Sequence, residues 1–383
     1  MTLVRQGLLP SSVRRLFGED PYPEQSWALM AEQDRSFVLG VAGADVPDPG
    51  LPRVGAGPDE RRRHRAALED WHHSWPYLRT RHTAGAEMQY RTVRSPQPRR
   101  TADLIPITLV TGPPGTGKTK LLRRIAAEMM CQAAWDVRIG ISAPLLDGGL
   151  FTAPRRDVVV VDLPKKQAEQ QLFALLCQQV GAPFDKDARA AFGRAVERHR
   201  IRWVFVDEIQ FINFDGQTGK YVHDGFKSLQ NMGVRVVLAG HDMRQQLAAQ
   251  SSGAREAARV QSEARWMLIE LEPYRRSTKT EIAEWRKLLQ RIEQRIRLSG
   301  HEPGEAVLSE EFEEYLWVAT LGYMSHVSTL VSGAVNVATA TADQRITRKI
   351  LDMVAVEKRA QDGRAQRLQL WDAGRFSFRQ SWR

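Results

Sequence analysis

Cysteine is almost missing from this chain: Cys131 and Cys177 are the only two in 383 residues, and neither belongs to a C-x-x-C pair or a Cys/His cluster. That scarcity excludes a disulfide framework and a structural zinc site, and it points to a reducing, cytoplasmic setting. Long apolar runs are lacking too. No stretch of eighteen apolar residues occurs, so no spanning helix and no membrane partner are expected. The opening MTLVRQGLLPSSVRR has no apolar core of export-signal length, and no internal repeat is visible. What remains is 42% apolar and 26% charged, an ordinary globular mixture, in a chain long enough for two or three packed units.

Charge is unevenly spread. Residues 61–100 hold ten Lys/Arg against three Asp/Glu, and residues 343–383 hold ten against five, while the whole chain nets +10. Two basic flanks on a near-neutral middle favour a polyanionic partner such as duplex DNA, although solvated surface gives the same count.

Along the chain, residues 1–58 read as a flexible arm, with one short helix near Gln25–Arg35 and a Pro/Gly linker at PDPGLPRVGAGPDE. A helical pattern starts at Asp59, and Leu68, Trp71, Trp75 and Leu78 share one face, as expected for packing against the body that follows. Five nearly continuous apolar runs then alternate with helical stretches: 107–112, 158–164, 202–208, 234–240 and 265–271. Strands of this kind are covered on both faces, and the alternation predicts an α/β fold with a parallel sheet flanked by helices. Residues 135–157 fit poorly and read as an extra strand or hairpin. The core is bounded at 59–272, a small α-helical lid at 273–360, and an irregular basic tail at 361–383, in which Trp371, Phe376, Phe378 and Trp382 are set among arginines and favour docking to a partner.

The sharpest motif is Gly112, Pro113, Pro114, Gly115, Thr116, Gly117, Lys118, Thr119, a complete G-x-x-x-x-G-K-S/T sequence between a strand and a helix, with Lys120 following. Its backbone N–H groups and the helix N-terminus suit phosphate oxygens. Lys118 is placed to reach the β- and γ-phosphates of ATP, and Thr119 to ligate Mg²⁺. Some 90 residues later the strand Val204-Phe-Val206 ends in Asp207 and Glu208. Asp207 suits the Mg²⁺ shell and Glu208 the attacking water. The strand at 234–240 ends in His241 and Asp242, either of which could act as a polar sensor of the γ-phosphate, with helix capping open for Asp242. Lys165 and Lys166 follow Pro164 in a first helical turn, where cations oppose the helix dipole. DNA phosphate would explain them, and so would side chains leaning into water.

With these residues in place the chain resembles the TniB/TnsC/MuB group of AAA+ ATPases that regulate DNA transposition. The resemblance runs over roughly residues 60–345: WHHSWPYLRTRHT, GPPGTGKT, VVVVDLP, FVDEIQFI, VRVVLAGHDM, RWMLIELEPY and the segment TLGYMSHVSTLVSGAVNVATATADQRI. It implies an AAA+ P-loop NTPase, ATP-dependent oligomerisation into rings or helical filaments on duplex DNA, and recruitment of a transposase with target-selection adaptor proteins. It also implies that Arg265 is an arginine finger reaching a neighbour's ATP, a surface arginine being the other reading. Gly322-Tyr-Met-Ser-His326 has no arginine where many AAA+ proteins carry a sensor, and His241 replaces a small hydroxyl or amide residue, so slow hydrolysis is expected. A replication initiator or helicase loader shares such a core, and a nucleotide-switched scaffold without DNA binding is the third reading.

Overall fold

The computed structural model describes residues 11–17, 27, 30–43, 45–50, 57–74, 78–94, 106–138, 156–164, 169–184, 186–211, 217–241, 243, 266–302 and 305–378. The chain divides into two compact units, one formed by 1–43, 76–114 and 118–271, the other by 44–75, 115–117 and 272–383.

The first unit is built on five parallel strands: β1 (Ile107–Thr111), β2 (Val158–Asp162), β3 (Trp203–Asp207), β4 (Arg235–Ala239) and β5 (Trp266–Glu270). Their order is β2-β3-β4-β1-β5. The three central strands are the most buried, which is why their sequences are unbroken apolar runs. Successive side chains point to opposite faces and feed two separate cores. Val110, Phe205 and Val237 face the Lys118–Arg138 helix, whereas Leu109, Val204, Val206 and Leu238 face the layer holding Leu172, Phe192 and Phe226. Residues 135–138 continue the Lys118–Arg138 helix, in place of the extra strand expected from 135, and 139–155 lie outside the described residues.

The arm expected over 1–58 is corrected in part. Residues 32–42 form a helix, Glu32–Ala42, with Asp34, Val38 and Ala42 buried in the first core. Arg156 holds this helix: its Nε lies 3.4 Å from Asp34 Oδ1, and it also donates to the Gln179 carbonyl. Gln33 Nε2 donates to the same carbonyl at 3.2 Å.

Every regular element among the described residues of the second unit is a helix. The Pro58–His73 helix packs on the Met324–Ala340 helix, so it joins this unit and not the core that the sequence reading assigns it to. Leu68 is buried, and Trp71 Nε1 donates to the Arg295 carbonyl at 2.8 Å. The helix stops at His73 and Leu78 lies outside it, so Leu68 and Leu78 do not share one helix, and Trp75 lies outside the described residues.

At the centre of this unit, Glu313 is 1% exposed and takes both Nε and Nη2 of Arg276, at 2.8 and 3.1 Å. The basic tail is a further correction. Lys358–Asp372 is a helix, and Arg364 in it is buried, donating to Tyr315 Oη, Leu351 O and Val354 O at 2.8, 2.6 and 2.7 Å. Arg367 donates to the carbonyls of Val318 and Ala319, at the C-terminal end of the Glu313–Thr320 helix. Phe376 and Phe378 pack on Trp317, with ring centroids 6.4 and 5.6 Å away, and the Arg276 guanidinium sits 4.2 Å from the Phe378 ring centre. These aromatic side chains therefore serve the unit's own core. Trp382 lies outside the described residues.

Candidate nucleotide site

In a parallel sheet, the loops that follow the strands' carboxyl ends form the natural crevice for a ligand. Here the central strands β3, β4 and β1 end in Asp207–Glu208, Gly240–His241 and Thr111–Gly112.

The loop after β1 bends because Gly112 takes a φ of 141° and Gly117 one of 96°, both in the region that favours glycine. A side chain at Gly112 would also collide with the Leu271 carbonyl oxygen. The loop runs straight into the Lys118–Arg138 helix, so the first free N–H groups of that helix open onto it. Lys118 is buried, and its ammonium donates to the loop's own Gly112 and Pro113 carbonyls at 2.9 and 2.6 Å. Pro113, Pro114, Gly115, Gly117 and Thr119 are half-buried, Thr116 is buried, and Lys120 points to the exposed side of the first helical turn.

Asp207 ends β3 almost fully buried. Its Oδ1 accepts the Glu208 N–H at 2.8 Å, whereas its buried Oδ2 has no hydrogen-bond partner among the described residues. Burial pushes this carboxyl above the ordinary range, the Thr119 hydroxyl and the Glu208 amide pull it back, and the charges of Glu208 and Asp162 raise it again. A divalent cation would relieve that cost. The donor set, one unsatisfied carboxylate oxygen with a threonine hydroxyl nearby and a P-loop lysine, is the chemistry that Mg²⁺ with a nucleotide phosphate requires. The residues therefore fit the ion.

Glu208 has a φ of 62°, uncommon for a residue with a side chain and costing about 1–2 kcal/mol. Backbone strain of this kind persists where the surroundings enforce it, and active sites are frequent locations. A short 3₁₀ turn, Ile209–Phe211, follows. His241 lies two residues past the end of β4 with Nε2 3.9 Å from Glu208 Oε2, so the structure brings Lys118, Thr119, Asp207, Glu208 and His241 into one unit. Arg265, Asp242, Lys165 and Lys166 lie outside the described residues.

Gln210 escapes the sequence reading. Its Nε2 donates to Glu208 Oε2, and its Oε1 accepts the His241 N–H at 3.2 Å. The available signal is a single amide between Ile209 and Phe211, a polar residue in an apolar turn. Thr111 escapes as well: its buried hydroxyl accepts the Met243 N–H at 3.0 Å.

Residues 105–247 match the family model of an AAA domain, AAA_22, which takes in both the P-loop and the Asp207–Glu208 strand end but well under half of the chain. No curated protein matches. Among solved structures, the chain is similar to the Aeropyrum pernix ORC2 protein in its ADPNP–ADP complexes, with a TM-score of 0.48 and 15% identity over 74% of this chain and 70% of that one. It is similar to the Aeropyrum pernix ORC1 protein in complex with DNA at 0.45 and 16%, over 72% and 65%. AMPPCP-bound DnaA from Aquifex aeolicus gives 0.40 and 13%, over 77% and 80%. Likeness this distant says nothing of what this chain binds. The sheet, its flanking helices and the AAA domain match make the fold an α/β AAA+ P-loop NTPase, accompanied by a second, α-helical unit.

Proposed function

We propose that this chain is an ATPase that binds ATP with Mg²⁺ and works as an ATP-dependent, DNA-binding regulator of transposition. The observation that carries the nucleotide chemistry is Asp207: a buried carboxylate with one unsatisfied oxygen, next to Thr119 in the turn that the P-loop opens. Lys118 and the N-terminal amides of the Lys118–Arg138 helix would hold the β- and γ-phosphates. Thr119 and Asp207 would hold Mg²⁺, which when bound supplies charge neutralisation across the phosphates. Glu208 would accept the proton of the attacking water, and His241 would orient that water or sense the γ-phosphate. Arg265 is assigned the arginine-finger role, supplied to a neighbouring copy in a ring or helical filament.

The transposition part rests on the sequence resemblance over residues 60–345, and the DNA part on the basic flanks. Contacts to phosphate without base reading make binding fall steeply with salt. Lys165 and Lys166 are assigned to that contact. A transposase and adaptor proteins as partners, and a cytoplasmic setting, belong to the same reading.

Steady-state hydrolysis with and without duplex DNA, together with imaging in a slowly hydrolysed ATP analogue, tests it for wild type and Glu208→Gln. The expected result is DNA-stimulated turnover that Glu208→Gln lowers by roughly 100-fold or more, with rings or filaments on the duplex. ATP binding with no DNA effect would leave a nucleotide-switched scaffold, and assembly only at a specific duplex sequence would favour an initiator.

A further inference from the structure

The acidic edge of the sheet extends one strand beyond Asp207. Strands β2 and β3 run in register, Val158 beside Trp203 and Asp162 beside Asp207, so both end in an aspartate at the same height. Side chains alternate along a strand, and Val158, Val160, Trp203 and Phe205 all pack in the core that holds the Lys118–Arg138 helix. Asp162 stands two residues after Val160, and Asp207 two after Phe205. The two carboxylates therefore leave the sheet on the face of that helix, from strands about 4.8 Å apart. The helix answers from its second turn, where Arg123 Nη2 donates to Asp162 Oδ2 at 2.7 Å.

Like charges on neighbouring strands disfavour each other. Arg123 takes one oxygen of Asp162, in a pair half open to water, whereas the buried Oδ2 of Asp207 has no partner among the described residues. Burial is the main force raising the Asp207 carboxyl, and the charges of Glu208 and Asp162 add to it, so Asp162 is near enough to be felt there. A hydrated divalent ion suits this pair of acids. Mg²⁺ loses water reluctantly, and it is commonly held by one or two carboxylates while it keeps several waters. Asp207, buried and close to Thr119, suits the ion itself. Asp162, exposed and already bonded to Arg123, suits the water around it.

We propose that Asp162 is a second carboxylate of the Mg²⁺ site, a positioning residue that accepts hydrogen bonds from the ion's hydration shell while Arg123 fixes its rotamer. The inference rests on the reading of Asp207 and Thr119 as the residues that hold the ion. Losing an outer partner of this kind lowers metal affinity about 10- to 100-fold. Arg123 lies five residues past Lys118 on the same helix, so one rigid element sets both the P-loop lysine and the outer carboxylate.

The test uses the full chain and reads binding, not turnover. The Kd of a fluorescent, slowly hydrolysed ATP analogue is measured across a Mg²⁺ titration and again in excess EDTA. Wild type is compared with Asp162→Asn, Arg123→Gln, the double variant Arg123→Gln/Asp162→Asn and Asp207→Asn. The expected result is a Mg²⁺ midpoint raised about 10-fold by Asp162→Asn and about 3-fold by Arg123→Gln, with the double variant no weaker than Asp162→Asn. In EDTA, Asp162→Asn should bind the analogue at least as tightly as wild type, because a negative charge has left the neighbourhood of the phosphates. A folding defect would weaken binding in both conditions, so a loss that is equally large in EDTA overturns the inference. A wild-type Mg²⁺ midpoint in Asp162→Asn overturns it as well and leaves Asp162 a strand-end acid paired with Arg123. A double variant clearly weaker than Asp162→Asn would show Arg123 acting on its own, against the positioning role. If Asp207→Asn keeps the wild-type Mg²⁺ response, the reading of Asp207 as a metal residue fails. An Asp207→Asn variant blind to Mg²⁺ beside a wild-type response in Asp162→Asn sinks only the second carboxylate.

Discussion

Asp207 and Glu313 are both acidic, both end or begin a secondary-structure element, and both are buried, yet they are treated in opposite ways. Glu313 in the second unit is fully engaged: Arg276 takes both oxygens, Arg286 Nη2 approaches to 3.4 Å, and Trp285 Nε1 donates to its carbonyl at 3.0 Å. Asp207 at the carboxyl edge of the sheet has an oxygen with no partner among the described residues and a carboxyl raised by burial. Buried polar groups are normally satisfied, so a buried strand-end carboxylate with an unmet oxygen is a candidate for chemistry and not for packing alone. Around Asp207 stand a strained Glu208 and a lysine turned onto its own loop, whereas Glu313 meets the opposite charges of Arg276 and Arg286.

The sharpest way to break this comparison is to neutralise each acid in turn. Asp207→Asn keeps the shape and an acceptor for the Glu208 N–H but removes the charge. It should lower kcat by roughly 100-fold or more while leaving the unfolding midpoint in urea unchanged or slightly raised. Destabilisation would show that Asp207 is structural. Glu313→Ala leaves Arg276 buried without its bidentate partner, and removing one member of such a pair costs about 3–5 kcal/mol. Urea unfolding of the second unit, followed through the fluorescence of its buried Trp285 and Trp317, checks it. A loss under about 1 kcal/mol, the range of an exposed pair, would overturn the buried-pair account.

These two sites also differ in what the sequence reveals. The P-loop is legible because its geometry is local: two glycines, a lysine and a threonine within eight residues, between a strand and a helix. Strands β1, β3 and β4 are legible because both faces are covered and their runs are unbroken. Gln210 is not, since its partner His241 lies 31 positions away and the motif context says nothing of the amide. The chain after Gln361 is misread for a related reason. Composition counts Arg364 and Arg367 as solvated charge, but both are spent on carbonyls of distant turns, from 10 to 49 positions away. The arm misleads in the same way, because Asp34 in a polar stretch is taken for surface when its partner Arg156 comes 122 positions later.

A smaller effect sharpens the contrast between an ordered and an irregular tail. Removing residues 375–383 strips Phe376 and Phe378 from Trp317 and Arg276. Partial burial of two rings with one guanidinium contact predicts a loss of about 1–3 kcal/mol in the second unit. Thermal unfolding of the shortened chain reads it directly. An unchanged midpoint would return the tail to the irregular segment that its composition describes.

The smallest effect separates the units by pH. In the first unit burial raises the Asp34 carboxyl to about 6, against the pull of Arg156 and with a further push from Asp157. A folded pKa above the unfolded 3.8 means that Asp34 contributes stability that is full below pH 3.8 and lost as pH rises through 6. In the second unit burial, then the charges of Arg297 and His73, lowers His72 to about 4, and its Nε2 accepts the Arg297 N–H at 3.2 Å. Its folded pKa lies below the unfolded 6.5, so the neutral ring contributes stability that is full above pH 6.5 and lost as pH falls toward 4. Going from pH 7 to 5.5 should therefore strengthen the first unit and weaken the second, each by about 1 kcal/mol. Urea unfolding of wild type, Asp34→Asn and His72→Gln at both pH values isolates the two terms. Asp34→Asn should lose the gain on acidification and His72→Gln the loss, because neither replacement titrates in this range. If both variants follow the wild-type pH dependence, the two buried groups do not set it, and the opposed response of the units falls.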